Sequence, residues 1–443
     1  MPRTTQIFCA STLYGAATLA AALESDCFAE ADRRLLLVFN NSATPETTPA
    51  VDEMPGFATL REHFDGVLSF NEAIHPFHPG AWVPRPDDLP LFERYLRMLW
   101  DLGDDRVELV MESIQVSPAL TLAQMFLGAP IDVYADGLMS YGPTRNKIDP
   151  LVGTRVRRLL HLDLVPGLTP MLLTEFDAPA HVVPTDAFLK VLSRLGGTVA
   201  ELPALPDNAA LLLGQYLSAL NILSAQEEED LHLRMLRGAV ARGHRSIVFK
   251  PHPTAPARYS RALETEAAAL GVDFTLLDTP VLAEVLYEKA PPALVVGCFS
   301  TALFTASVFY ELPVARIGTE PLLERLSPYQ NSNRVPVVLA DALLPDLDTE
   351  KKRDTLAADT LTDLITTVGF TQQPQIYWAL RPAAERYLSD YYGPRIQRYF
   401  KRKRLTSLGL PGGIPERLAF LPRNSTARRV VRQARALRKA VRR

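Results

Sequence analysis

A histidine held between two prolines is the first candidate for chemistry in this sequence. Residues 250–253 read KPHP, so Lys250 precedes His252, which is flanked by Pro251 and Pro253. Proline fixes φ and lacks a backbone donor, so neither a helix nor a strand is expected to continue through His252. The imidazole should therefore lie at a strand end. There it could serve as a general acid, donate to a phosphate, or simply bond to the loop backbone.

The second candidate is an acidic residue followed by glycine. Residues 134–141 read YADGLMSY, and Asp136 and Gly137 leave a predicted strand. A carboxylate at that position can accept a proton or a hydrogen bond, and glycine predicts a sharp turn. An Asp-Gly turn without a chemical role is the alternative.

The third candidate is a pair of hydroxyl side chains in VVGCFSTALFTA, residues 295–306. Gly297 ends a buried strand, and Ser300 and Thr301 open an apolar helix, as N-cap residues do. Free N–H groups and two hydroxyls at a helix N-terminus also suit a phosphate. The P-loop and dinucleotide glycine patterns are absent, which argues against an NTP-hydrolysing or dinucleotide-binding protein.

Other side chains give weaker signals. His63, His75 and His78 have no paired spacing with cysteines or carboxylates, so no metal site is predicted. The G-x-S-x-G pattern of a hydrolase elbow is also absent.

Short apolar strands alternate with amphipathic helices around these motifs, a pattern typical of parallel α/β sheets. Strands are predicted at residues 5–10, 34–39, 66–70, 107–111 and 131–134, and again at 210–215, 246–250, 272–276, 293–296 and 314–317. Each motif follows one of these strands, and ligands of such sheets bind beyond the carboxyl ends of the strands. We therefore predict two Rossmann-like domains with a ligand in the cleft between them.

The predicted domains are an N-terminal one over residues 1–190, which would face the acceptor, and a donor-binding one over residues 205–345. Helices and a basic tail would follow over residues 346–443. The cysteines at positions 9, 27 and 298 offer no disulfide framework, which favours a reducing, cytosolic setting. The first residues indicate a strand, turn and helix in place of a signal peptide, and no apolar run is long enough to span a membrane.

The order and spacing of the three motifs resemble the bacterial sialyltransferases, above all the α-2,8-polysialyltransferase-like family, over roughly residues 4–340. The resemblance implies a GT-B fold with no cofactor or metal. It also implies inverting transfer of sialic acid from a CMP-activated donor to a hydroxyl of a glycan or lipid-linked acceptor. Carried over by position, His252 would bond to the departing CMP phosphate and could protonate it.

The same resemblance assigns the substrate-binding residues. Ser300 and Thr301 would hold the phosphate, and Gly137, Lys250 and Pro253 would belong to the substrate site. Asp136 and Gly137 match the last two positions of the family's acidic-acidic-glycine motif.

This chain departs from the family at one catalytic position. The first acidic position of the motif, which carries the catalytic base in the family, is Ala135 here. Asp136 is our first candidate for the missing base. Alternatively, the base comes from elsewhere, with Glu112 one candidate, or the chain is not a sialyltransferase in the strict sense.

The C-terminal sequence is strongly basic, with eight Arg and Lys and no acidic residue from position 424 to 443. It could form a solvated helix on the acidic body or adsorb to an anionic membrane. No nucleic-acid-binding motif accompanies it, so no nucleic acid partner is expected. We predict a cytoplasmic protein, with a peripheral position at the inner face of the plasma membrane as the outcome if the tail adsorbs to lipid.

Two other functions remain open at the level of sequence. A CDP-activated polyol-phosphate transferase of the teichoic-acid type also combines two α/β domains with a histidine-proline signature. A non-catalytic nucleotide-sugar-binding protein is the other alternative, and Ala135 is the reason to consider it.

Overall fold

Two parallel β-sheets organise the chain. The structure is a computed structural model that describes residues 2–198, 205–206, 208–252, 257–349 and 358–414. The seven strands of the first sheet are β1 (Thr4–Ala10), β2 (Arg33–Val38), β3 (Gly66–Ser69), β4 (Arg106–Glu112), β5 (Ile131–Ala135), β6 (Val156–His161) and β7 (Ala180–Val182). The five strands of the second are β8 (Ala209–Leu213), β9 (Ser246–Lys250), β10 (Asp273–Leu276), β11 (Leu294–Gly297) and β12 (Val314–Arg316).

Helices connect the strands and cover the sheets. Those of the first half are α1 (Leu13–Glu24), α2 (Phe57–Arg61), α3 (Phe70–Ala73), α4 (Leu89–Leu99), α5 (Ala119–Met125), α6 (Pro150–Gly153) and α7 (Thr185–Thr198). Those of the second half are α8 (Ala225–Ala241), α9 (Ala257–Leu270), α10 (Ala283–Lys289), α11 (Thr301–Val308), α12 (Thr319–Arg325) and α13 (Arg334–Leu343). Three more follow: α14 (Ala358–Gln372), α15 (Arg381–Tyr391) and α16 (Arg402–Leu408).

The first sheet has the order β3-β2-β1-β4-β5-β6-β7, and its central strands β1, β2, β4 and β5 are mostly buried. Successive residues of a strand point to opposite faces, so Phe8 and Ala10 join one apolar cluster while Ile7 and Cys9 join another. Strands that are buried on both faces read as continuous apolar runs, which is why β1 is visible in the sequence. The first cluster continues into the second domain, whose sheet has the order β10-β9-β8-β11-β12.

All ten predicted strands are present, and the two-domain α/β class is confirmed. Strands β6 and β7, which extend the first sheet at one edge, were not predicted from the sequence. In β6, Arg157 and Arg158 are adjacent and interrupt the apolar pattern. Both guanidinium groups reach the carboxylate of Asp132, which is fully buried in β5, at 2.8 Å and 3.0 Å. The arginines of β6 are therefore satisfied by a partner that the local sequence does not reveal.

The segment after the second sheet returns to the first domain. The Tyr377 hydroxyl accepts a hydrogen bond from the Thr144 N–H at 3.0 Å and lies 2.9 Å from the Glu175 carboxylate. The contact joins positions more than two hundred residues apart in the chain. The C-terminal segment, which follows the second domain in the chain, therefore also packs against the first domain.

Three further observations bear on the predictions from sequence. All three cysteines are free. Among the described residues, no helix is long and apolar enough to cross a membrane. The basic tail over residues 425–443 lies outside the described residues, and the domain boundaries given above stay predictions.

Candidate active site

Strand ends from both sheets line one cavity of about 480 Å³ between the domains. Asp136 and Gly137 reach it from the first sheet, and His252, Ser300 and Thr301 reach it from the second. The carboxyl ends of parallel strands share one edge of a sheet, so two sheets that face each other bring such residues together. The structure therefore unites the three motifs that the sequence singled out.

Asp136 directly follows β5 and lies close to the start of α1. Its Oδ2 accepts a hydrogen bond from the Thr12 hydroxyl at 3.4 Å. Burial raises the pKa of the Asp136 carboxyl, although hydrogen bonds from Thr12 and from its own backbone oppose that effect. A carboxylate with a raised pKa is a better proton acceptor than an ordinary aspartate.

Gly137 lets the two domains approach each other, and the chain bends here as predicted, with the Gly137 carbonyl accepting a hydrogen bond from the Ser140 N–H at 3.2 Å. Its backbone is extended, with φ −145° and ψ 178°, a conformation open to any residue. A Cβ atom at Gly137 would lie 2.9 Å from the Thr301 hydroxyl oxygen of the other domain. The missing side chain therefore provides space across the cleft.

His252 lies against the loop that follows β8. Its ring stacks on Tyr216 with a centroid distance of 3.9 Å and an interplanar angle of 24°. A Cβ atom at Gly214 would lie 2.9 Å from the backbone nitrogen of His252, so glycine is needed for the loop to pass this close to the chain at His252. Burial, together with the charge of Lys250, lowers the pKa of His252 to about 4, while Glu228 opposes this change. The ring is therefore neutral at pH 7 and can donate through one nitrogen.

A buried carboxylate fixes the loop that carries Tyr216. Glu228 accepts hydrogen bonds from the backbone N–H groups of Leu217 at 2.7 Å and Ser218 at 2.9 Å, and from the hydroxyl of Tyr259 at 3.2 Å. These bonds satisfy Glu228 internally, so its role is to hold the aromatic support of His252 in place.

Ser300 occupies the N-cap position of α11 as predicted, with extended backbone at φ −69° and ψ 151°. Its hydroxyl accepts no capping hydrogen bond, and its buried Oγ has no hydrogen-bond partner in the part of the chain that the structure describes. Buried hydroxyls are normally paired, so this one points to a ligand. Thr301 follows as the first residue of the helix and lines the same cavity.

Two predicted substrate-binding residues have other outcomes. Lys250 ends β9, but it is not among the residues that line the cavity, and its Nζ donates to the carbonyl of Thr279 at 3.3 Å. Pro253 lies outside the described residues.

Several cavity residues escaped the sequence analysis. Tyr216 follows β8, and its position at a strand end was a signal that could have revealed it. Arg145 and Asn333 come from connecting segments whose path the sequence does not indicate. Glu112, considered above as an alternative base, ends β4 and lines the cavity.

The histidines dismissed as metal ligands lie elsewhere. His63 bonds to Glu24 at 2.6 Å, and His78 lies 2.8 Å from the carbonyl of Ser42. Within the described ranges, no three residues of the types His, Cys, Asp and Glu are grouped so that they could hold a metal ion.

Two parallel α/β domains that face each other across a ligand-sized cleft define the GT-B class of protein, as predicted. The sequence profile of the alpha-2,8-polysialyltransferase (POLYST) family matches residues 6–319. That match covers well over half of the chain, so the protein belongs to this family and is a glycosyltransferase.

Solved structures match this chain at low sequence identity. A UDP-GlcNAc 2-epimerase from Neisseria meningitidis bound to UDP-GlcNAc is 12% identical over 87% of this chain and 95% of that chain, with a TM-score of 0.46. The GT-B domain of a sialyltransferase from Photobacterium damselae is 11% identical over 76% of this chain and 96% of that chain, with a TM-score of 0.39. No curated protein sequence matches this one.

Proposed function

We propose that this protein transfers a sialic-acid-like sugar from its CMP-activated form to a hydroxyl of a glycan or lipid-linked acceptor. The proposal includes inversion at the anomeric carbon and independence from metal ions. One observation carries it: a carboxylate with a raised pKa from the first domain lines the same cavity as three side chains of the second domain that can donate hydrogen bonds to a phosphate.

The donors from the second domain suit the leaving group. As the bond to the sugar breaks, its electrons pass to a phosphate oxygen of CMP. Hydrogen bonds from His252, Ser300 and Thr301 to that oxygen would become stronger as its negative charge grows, which lowers the barrier. The neutral ring of His252 fits a hydrogen-bond donor, and the incoming phosphate would favour its protonated form.

The acceptor side requires a proton acceptor. The attacking hydroxyl forms a bond to the anomeric carbon and loses its proton, which Asp136 would take in this proposal. General-base help of this kind typically contributes ~10²–10⁴ in rate.

Arg145 gives this site a reason to prefer an acidic sugar. It lines the cavity together with the carboxylates of Glu112 and Asp136. Sialic acids carry a carboxylate, which a guanidinium binds through two parallel hydrogen bonds. Arg145 would thus offset the repulsion between an acidic sugar and the two side-chain carboxylates.

The proposed setting is the cytoplasm, with a peripheral position at the inner face of the plasma membrane through the basic tail. Binding of the full chain to vesicles with and without anionic lipid tests that attachment.

The function itself is tested by separate incubation with CMP-sialic acid and CDP-glycerol in the presence of EDTA, with sialylated and polyol-phosphate acceptors supplied. We expect CMP release only from CMP-sialic acid, and a loss of about 10²-fold or more in kcat for His252→Ala with thermal stability retained. Release only from CDP-glycerol would contradict the proposal. CMP binding without turnover on any acceptor would instead indicate a non-catalytic binding protein.

A further inference from the structure

A second carboxylate lies beside Asp136 in the cavity. Glu112 is the last residue of β4, and its Oε2 accepts hydrogen bonds from the N–H and the hydroxyl of Ser11 at 2.9 Å and 2.7 Å. Asp136 is bonded by the next residue, Thr12. Two consecutive residues at the start of α1 therefore hold the two carboxylates, one each.

Strand register explains why these carboxylates meet. Glu112 of β4 pairs with Tyr134 of β5, and paired residues of parallel strands point to the same face. Asp136 comes two residues after Tyr134 and continues along that face. Ala135 points the other way and packs against the apolar cluster on the opposite side of the sheet.

Gly15 leaves room for this arrangement. A Cβ atom there would lie 3.0 Å from the Tyr134 hydroxyl and 3.3 Å from Asp136 Oδ2. The first turn of α1 can therefore pack directly against Asp136.

We propose that Glu112 and Asp136 form a two-carboxylate base that receives the proton of the acceptor hydroxyl, in place of the acidic residue that Ala135 replaces. The inference rests on the proposed function. In the reacting form both carboxylates are ionised; the hydroxyl oxygen bonds to the anomeric carbon, its proton enters the pair, and the CMP phosphate leaves with the bonding electrons. The proton later passes to solvent.

The electrostatics of the pair support this role. Burial, followed by repulsion from Asp136, raises the pKa of Glu112 to about 7, against the opposing effect of the Ser11 hydrogen bonds. The pair loses its last proton near neutral pH, where a general base is most effective. We therefore expect kcat/KM to rise with pH through about 7 and then to level off.

Two variants test the pair against a matched control. Glu112→Gln should lower kcat by about 10²-fold or more and remove the pH limb near 7. Ser11→Ala should move that limb to higher pH, because the ionised Glu112 loses a donor. The control is Glu108→Gln, which alters a carboxylate on the same face of β4. Glu108 is remote from the cavity and paired with Arg157, so this variant should keep both the kcat and the rise of kcat/KM near pH 7. Near-normal kcat in Glu112→Gln would overturn the inference.

A readout that is independent of turnover separates this inference from the proposed function. Carboxyl carbons labelled with ¹³C can be titrated by NMR, with the Glu112 signal assigned by its absence in Glu112→Gln. We expect this signal to titrate near pH 7 in the wild type and at lower pH in Asp136→Asn. An ordinary midpoint in the wild type, or an unchanged midpoint in Asp136→Asn, would refute the pair even if CMP-sialic acid is turned over. A wild type that titrates as expected but uses no CMP-sugar would contradict the proposed function alone.

Discussion

Two histidines of the second domain show that position decides what a residue can do. Burial lowers the pKa of both His232 and His252 to about 4. His232 Nε2 accepts a hydrogen bond from the backbone N–H of Gln215 at 3.1 Å, and its ring packs edge-on against Phe249 in the core. His252 alone of the two lines the cavity. The pKa shift is common to both, so the case for His252 rests on its place at the cleft.

Glu112 should make the protein less stable as pH rises. Its folded pKa of about 7 exceeds its ordinary value of 4.5, so the folded state favours the protonated form. The cost of ionising Glu112 is absent below pH 4.5 and grows as pH rises towards 7. Glu112→Gln removes that cost and should raise the free energy of unfolding at pH 8 by about 1–3 kcal/mol, with little effect at pH 4.

Urea unfolding of wild type and Glu112→Gln at the two pH values measures this difference. A variant that is less stable than the wild type at pH 8 would show that Glu112 is held in the folded state mainly as a carboxylate.

Ser300 should contribute to ligand binding and little to stability. Its Oγ has no hydrogen-bond partner among the described side chains and backbone, so Ser300→Ala removes no bond within that part of the fold. A hydrogen bond to a phosphate is worth about 1.5–3 kcal/mol, so the Kd for CMP should rise about 10- to 100-fold, with Tm unchanged. Calorimetric titration with CMP and a thermal melt measure the two quantities.

Thr305, one turn further along α11, provides the matched control. Its hydroxyl is buried and donates to Glu284 at 2.8 Å. Thr305→Val should lower Tm while CMP affinity is retained. If Ser300→Ala shows this same pattern, its hydroxyl supports the fold and does not bind phosphate.

At the scale of elements, strand ends were the informative positions in the sequence. The strands that precede Asp136, His252 and Ser300 are apolar runs, so their carboxyl ends could be located without coordinates. Strand β6, which lies between β5 and the edge strand β7, could not be located in this way, because its arginines pair with Asp132 only once β5 lies beside it. A local hydrophobic pattern predicts a strand that is buried in apolar surroundings. It does not predict a strand whose polar side chains are paired with a neighbouring strand.

The site was predictable to a similar extent and for a related reason. The three motifs lie at strand ends and could be expected to converge. The pairing of Glu112 with Asp136 depends on the register between β4 and β5, and Tyr216 is placed by bonds from its loop to Glu228. Neither relationship is written in a local stretch of sequence.

Gly137 provides a prediction about the contact between elements. Because its backbone is extended, alanine introduces no backbone strain, and the only consequence of Gly137→Ala is a Cβ atom 2.9 Å from the Thr301 hydroxyl oxygen. We expect the end of β5 and the start of α11 to move apart, with a rise of about tenfold in the KM for the donor. Steady-state kinetics at varied donor concentration provide the measurement.

A second glycine and a double variant separate space from general destabilisation. Gly197 in α7 has no atom within 4 Å of a Cβ, so Gly197→Ala should preserve KM. Adding Thr301→Ala to Gly137→Ala removes the hydroxyl that the new methyl group meets. We expect the KM of this double variant to equal that of Thr301→Ala alone. A KM far above that of Thr301→Ala would show that Gly137 acts by another route.

At the scale of the whole molecule, the cavity is built from three parts of the chain. Besides the two domains, the C-terminal helices contribute Gln372, which ends α14 and donates to the carbonyl of Asn331 at 3.0 Å. The following residue, Gln373, donates to the carbonyl of Arg145 in the first domain. The returning segment therefore joins the wall of the cavity to both domains, and its attachment should matter for the stability of the whole.

Tyr377 is the residue through which this attachment can be tested. Its hydroxyl accepts from the buried N–H of Thr144 and lies 2.9 Å from the Glu175 carboxylate and 3.1 Å from the Met171 carbonyl. Tyr377→Phe leaves the Thr144 N–H without this partner, and an unpaired buried polar group costs about 1–3 kcal/mol, so we expect a fall of that size in the free energy of unfolding. Tyr391→Phe alters a hydroxyl on a half-exposed ring and should have no such effect in the same urea titration. Equal stability of the two variants would mean that the returning segment is held by its apolar packing alone, and that the Tyr377 hydroxyl adds nothing to the connection between the domains.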